Sequence, residues 1–277
     1  MQIKSLYIAL AVAAATATSF IACGPDAGWN KILANEEQAN RIFQDSLPYT
    51  VKQFQEFSPY FSGQANEMDS TTFTATYPLF NAEIQQLVKN ALFIDGEDSV
   101  NQVAESFLGG FNEYAEDEIA SGNSAFHCWF KNQDARVLLN TGRFLTIANS
   151  LSEYTGGAHG MEVELWFNYD IKNKKQLALT DFIQDTVSLK KIVEQHFRKV
   201  ESLQENDSFG SGYFFDDNKF TMADNFGMTR EGLVFHYNVY EIKAYSEGST
   251  TVVVPYKDLK GLLTETGNQL VSSLFKK

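Results

Sequence analysis

Cysteine is almost missing from this chain: Cys23 and Cys128 are the only two in 277 residues. So few cannot build a disulfide framework or a multi-cysteine metal site. Histidine is scarce too, represented by His127, His159, His196 and His236. None of the four pairs with another at the spacing a helical zinc site requires. No Gly-x-Ser-x-Gly elbow and no Gly-Lys-Ser/Thr phosphate loop is present, and nothing calls for a cofactor or a metal. Positive charge is in deficit, with 22 Lys and Arg against 35 Asp and Glu and a net charge of −13. That balance argues against nucleic acid and against an anionic membrane surface, and it suits a cationic partner. Beyond the N-terminus no apolar run is long enough to read as a membrane span.

What is present begins with the leader. Residues 1–22 have the layout of an export signal. Lys4 is their only charge, and Leu6 to Ala17 form an apolar stretch too short to cross a bilayer core comfortably. Ser19-Phe20-Ile21-Ala22-Cys23-Gly24 follows. An apolar residue, a small residue and then cysteine resembles a bacterial lipobox, although Phe20 stands where leucine is commoner. The resemblance implies cleavage before Cys23 and lipid attachment to it. Cys128 then has no second cysteine for a disulfide, and its setting between His127 and Trp129 reads as core. The expectation is a chain tethered by residues 23–47 and lipid-anchored in the bacterial cell envelope, outside the inner membrane.

At 44% apolar residues, the rest of the chain can fill a real core. Val51 to Phe57 and Thr71 to Tyr77 read as strands. Asn81 caps a helix whose apolar face is Ile84, Leu87, Val88, Ala91 and Leu92, and Asp95-Gly96 ends it. A second helix spans Val100 to Ile119, and its last turns are loaded with Glu113, Glu116, Asp117 and Glu118. Ala125 to Lys131, Ala135 to Leu139 and Phe144 to Glu153 read as an antiparallel meander, turning at 132–134 and 140–142. Met161 to Lys172 alternates cleanly, as a half-buried strand does. A helix follows over Ser188 to Leu203, then a loop over 204–212. Strands over Phe220 to Ala223, Leu233 to Val239 and Thr251 to Tyr256 come next. The last helix covers Leu259 to Phe275, with a break at Gly261 or Gly267. The pattern is α+β: antiparallel sheets with amphipathic helices packed on one face. It divides near Glu153 into two sequential subdomains, 48–153 and 154–277.

The most unusual segment is Tyr154-Thr155-Gly156-Gly157-Ala158-His159-Gly160. Three glycines in five positions permit positive φ or close backbone approach. Two readings stay open. In one the segment is a tight connection whose histidine bonds nearby backbone. In the other it is a ligand-contacting loop with Tyr154 and His159 as its chemical groups.

This segment resembles the Tyr-x-Gly-Gly-Ala-His-Gly signature of the RsiV/PdaC-like bacterial envelope family, which pairs two domains of unknown function. Gly232 to Ile242, followed by Ala244 to Gly248, resembles that family's second signature. Val252 to Tyr256 resembles its closing strand. The resemblance implies a PdaC-like N-terminal domain and an RsiV-like C-terminal domain. It also points to Tyr154, Gly156, Gly157, His159, Gly160, Tyr240, Glu241 and Tyr245 as candidate ligand contacts. In that family the outer module of the anti-sigma factor binds lysozyme. This chain shows neither the membrane span of the sensor nor the separate metal-binding catalytic domain of the deacetylase. The expected function is a non-enzymatic envelope binding module for lysozyme, another protein, or peptidoglycan. The alternatives are a cell-wall glycan hydrolase or esterase using His159 with a carboxylate or with Tyr240 and Glu241, and a purely structural lipoprotein.

Overall fold

The computed structural model describes residues 46–61, 69–123, 125–210 and 212–275. The segment read as an export signal, Cys23 and the expected tether as far as residue 45 lie outside the described residues, while Leu47 at the tether's end exchanges two hydrogen bonds with Asn140, at 2.9 and 2.8 Å. Six strands form the larger sheet in sequence order: β1 (Thr50–Phe61), β2 (Ser70–Leu79), β3 (Phe130–Asn140), β4 (Phe144–Tyr154), β5 (Met161–Asp170) and β6 (Lys175–Gln176). Neighbours are antiparallel except β2 and β3, which run parallel from Thr72↔Phe130 to Thr76↔Asp134. The sheet is therefore mixed, where the sequence suggested purely antiparallel pairing. A parallel pair needs a long crossover, and here α1 (Ala82–Leu92) and α2 (Val100–Ala120) supply it.

Both helices start as their sequences predict. The Asn81 side chain accepts from Ile84 N at 3.0 Å, and Ser99 accepts from Gln102 N at 3.3 Å. Their apolar stripes bury Val88, Ala91, Leu92, Val103 and Ala104 against Phe73, Ala75, Leu145 and Ile147 of the sheet.

The expected turn at 132–134 is instead the middle of one continuous strand, β3. Its polar residues looked like a turn because their partners are remote in sequence. Gln133 donates its amide to the Leu92 carbonyl, and Asn132 accepts from the Thr74 hydroxyl at 2.7 Å. Asn149 also donates to Ala91 O, at 2.9 Å. Two buried side-chain amides thus satisfy the last carbonyls of α1, groups that a helix leaves orphaned.

The second layer is a three-stranded antiparallel sheet: β7 (Phe226–Met228), β8 (Gly232–Tyr237) and β9 (Thr250–Pro255). A one-turn helix, α3 (Leu179–Phe182), precedes α4 (Thr186–Val200), and α5 (Glu265–Leu274) closes the chain. The strand expected at 220–223 begins later, at Phe226. Phe220 and Ala223 are nevertheless buried, and Tyr237 Oη fixes the segment by donating to Thr221 O at 2.8 Å. The last helix starts at Glu265 rather than Leu259. Gly261 breaks the chain at φ +82°, and Thr264 caps the helix by accepting from Gly267 N at 3.1 Å.

Hydrogen-bonded structure crosses the position near Glu153, since β4 and β5 pair on either side of it. The two layers meet on the face of β4 and β5 away from α1 and α2. There the Trp166 indole lies over Gly227, where even a Cβ would clash with the ring. Asn168 donates to Phe226 O at 2.9 Å and accepts from Met228 N at 3.0 Å. Two more asparagines complete the β5 edge. Asn225 Oδ1 accepts from Trp166 N at 2.9 Å, and its Nδ2 donates to Glu164 O at 2.7 Å. Asn238 Oδ1 accepts from Glu164 N at 2.7 Å. Side chains thus satisfy backbone groups that an open edge would leave bare.

Candidate functional site

The 154–160 segment joins β4 to β5, and its glycines are explained by backbone geometry. Gly156 and Gly157 have φ of +105° and +95°, which L side chains rarely adopt. A Cβ at Gly160 would sit 2.8 Å from the Glu153 carbonyl oxygen. Tyr154 Oη donates to Gly157 O at 3.1 Å and holds the loop from inside.

His159 is exposed. Its Nδ1 lies 2.8 Å from Gly160 O. A carbonyl can only accept, so Nδ1 carries the proton in that bond. In the neutral ring Nε2 is then the acceptor, and it lies 3.2 Å from Tyr240 Oη. The imidazole also stacks on Tyr245, with ring centroids 4.2 Å apart and planes 16° from parallel. Tyr240 and Tyr245 are 5.3 Å apart, so three rings form one exposed cluster. The two signature segments, far apart in sequence, meet here through side chains.

The segment bearing the tyrosines is held rigidly. Tyr240 itself has φ +64°, uncommon for a bulky residue. Asn238 ties its start to β5. Burial lifts the Glu241 carboxyl above the ordinary range, and the Asn238 N–H, donated to it at 2.8 Å, offsets part of that rise. Glu241 therefore staples the turn. Further on, Lys243 is buried and donates to both Glu201 oxygens, at 2.9 and 3.2 Å. Burial alone would raise the Glu201 carboxyl; bonds from Thr250, Lys243 and Tyr213 outweigh it and hold the group below its usual range.

On its other side the loop lines an open cleft of about 280 Å³. Thr155, Gly156 and His159 form one wall, and Ile94 and Asp95 from the α1–α2 connection form another. The floor is the helix-side face of the sheet: Lys131, Leu151, Glu153, Met161 and Val163. Lys131 Nζ lies 3.1 Å from both Asp95 Oδ2 and Glu153 Oε2. Burial pulls the Lys131 ammonium down, but Glu153 and Asp95 more than compensate, so it titrates above the ordinary lysine value.

The structure thus brings Tyr154, Gly156, Gly157, His159, Gly160, Tyr240 and Tyr245 together and gives Glu241 a structural task. Sequence reasoning missed the cleft floor. One signal for it existed: Lys131 is a cation on the inward phase of β3, in register with buried Gln133 and Ala135. Among the described residues, no group of three or more His, Cys, Asp or Glu converges in a way that could hold a metal ion. No helix among them is long and apolar enough to cross a membrane.

The fold is that of a two-part α+β protein in which the 154–160 loop touches the second part through the rings of His159, Tyr240 and Tyr245 and lines a cleft on the helix side of the first. Residues 64–162 match the family model described as Deacetylase PdaC, and residues 172–257 match the model described as a protein of unknown function, DUF3298. One stretch of the chain is thus similar to PdaC and a later one to DUF3298. Two solved structures share the fold. A DUF3298 family member from Bacteroides fragilis NCTC 9343 is 22% identical at TM-score 0.63, covering 84% of this chain and 100% of its own. A DUF3298 family protein from Pseudomonas aeruginosa PAO1 is 21% identical at TM-score 0.62, covering 80% and 96%. No curated protein matches the chain significantly.

Proposed function

We propose that this protein is a lipid-anchored, non-enzymatic binding module of the bacterial envelope, and that it captures a cationic protein such as lysozyme. The observation that carries the reading is the ring cluster. His159, Tyr240 and Tyr245 are exposed or half-exposed aromatic groups from two separate segments, fixed by stacking and a hydrogen bond, and His159 also lines a cleft. Fixed aromatic side chains make good binding anchors because little entropy is lost on contact. Tyrosine faces attract ammonium and guanidinium groups. The net charge of −13 adds long-range attraction for a basic protein. The ring partners of His159 are a carbonyl and two tyrosines, which supports recognition over hydrolysis. The pairing of PdaC-like and DUF3298 parts, together with the lipobox, supports an envelope setting.

The test is calorimetric titration with hen lysozyme at low and moderate salt, using the wild type and His159→Ala. Binding that weakens with salt and falls at least about tenfold in the variant is expected. Absence of binding at both salt levels removes the lysozyme reading. Equal binding by the variant moves the site elsewhere.

A further inference from the structure

We infer that the cleft under the 154–160 loop is a socket for one long basic side chain, arginine or lysine, of a polypeptide partner. This rests on the reading above that the ligand is a cationic protein, and it names the contact that protein makes. At about 280 Å³ the cleft falls just short of the range of about 300–1,000 Å³ typical of small-molecule sites. One extended side chain suits it better than a run of sugars. Ile94, Leu151, Met161 and Val163 give it apolar walls that match an aliphatic stem.

The polar end of the cleft fits a cation. Asp95 and Glu153 are 55% and 36% exposed, while Lys131 beneath them is only 11% exposed. An entering group therefore meets carboxylate oxygens before the ammonium. Each carboxylate offers about four acceptor sites, so Lys131 leaves most of that capacity open. Two carboxylates against one ammonium leave the end with a negative charge. An anion would have to displace one of them from Lys131. His159 also lines the cleft, and its ring stacks on Tyr245 outside it.

The test uses the full chain with carbon-13 methionine methyls and follows Met161, assigned by Met161→Leu. The probes are N-acetyl-arginine amide, its uncharged citrulline isostere, and chitotriose. The arginine probe is expected to shift Met161 saturably, with the citrulline probe at least about tenfold weaker. Glu153→Gln and, independently, Asp95→Asn should each weaken the arginine probe about fivefold, with near-UV circular dichroism confirming the fold. Equal titration by citrulline, a response to chitotriose alone, or no effect in any correctly folded variant overturns the socket. Lysozyme is titrated against the same proteins. Binding that is equal in wild type and both variants sinks the socket and leaves the module reading standing. Arginine binding without lysozyme binding does the reverse.

Discussion

The two halves fill their cores in different ways. In the first, one face of the six-stranded sheet is covered by α1 and α2, and the main buried cluster is largely small and aliphatic, including Val88, Ala91, Leu92, Val103, Ala104 and Ile147; a separate smaller cluster joins Phe111, Tyr114, Phe126 and Trp129. In the second, Phe197 of α4 sits among five rings. The centroids of Phe209, Tyr213, Phe215, Phe220 and Tyr237 lie 5.2 to 6.0 Å from its own. Four of those rings come from the stretch between α4 and β7, whose described residues carry a single 3-10 turn, Asp216–Asn218, and no strand or α-helix. The main cluster of the first half is thus built almost wholly from periodic elements. The second depends on an irregular segment held by aromatic packing rather than by a backbone ladder.

That contrast can be broken at its centre. Phe197→Ala removes a fully buried ring, and a loss of about 3–5 kcal/mol is expected from urea unfolding. Amide exchange should quicken over 209–220 before it does over β3 and β4. Uniform quickening would mean that the halves unfold as one unit and that the ring cluster has no local role.

Acid should also act through the second half. Burial pushes the His236 imidazole down to about 4 from an unfolded value near 6.5. Between those values the unfolded chain binds more protons than the folded one, so stability falls as pH drops through this window. The full shift corresponds to about 3 kcal/mol, reached only near the lower end. His236→Gln should flatten the dependence between pH 7 and 4.5. Raised carboxyls such as Glu164 act in the opposite direction in both proteins, so the difference between them isolates the histidine.

The first half should respond at its amides. Gln133→Ala leaves the Leu92 carbonyl without that donor, although Asn149 still reaches it at 3.3 Å. A cost of about 1–3 kcal/mol is expected, and Asn149→Ala should cost a similar amount. If both together cost no more than one alone, the α1 end frays without harm. The smallest effect belongs to His159→Ala, an exposed change expected to alter stability by under about 0.5 kcal/mol while weakening ligand binding. A larger loss of stability would make the ring cluster a structural brace.

The same contrast explains what the sequence disclosed. The cap at Asn81, the stripes of α1 and α2, and the alternation of β5 are local signals, and they locate those elements within a few residues. The half-buried reading of β5 failed, because Glu164, Trp166, Asn168 and Asp170 are buried instead of solvated, on the face that the second layer covers. The turn expected inside β3 failed because Asn132 and Gln133 are polar for the sake of Thr74 and Leu92, contacts invisible along the chain. The parallel pairing of β2 with β3 depends on a crossover, not on either strand's residues. β7 was misplaced because Phe220 is apolar for a ring cluster and not for a sheet. At the site, the glycine-rich loop and both tyrosines were legible as motifs. Lys131, Asp95 and Ile94 were not, because they join the loop only once α1 ends beside the sheet.

The central claim is that loop 154–160, the cleft floor and the 240–245 segment act as one binding surface. Hydrogen-exchange footprinting of the protein with and without hen lysozyme tests it most directly. Slowed exchange concentrated in 153–163 and 238–248 is the predicted result. Protection confined to the exposed edge strand β1 or to the acidic end of α2, with the loop unchanged, would contradict it.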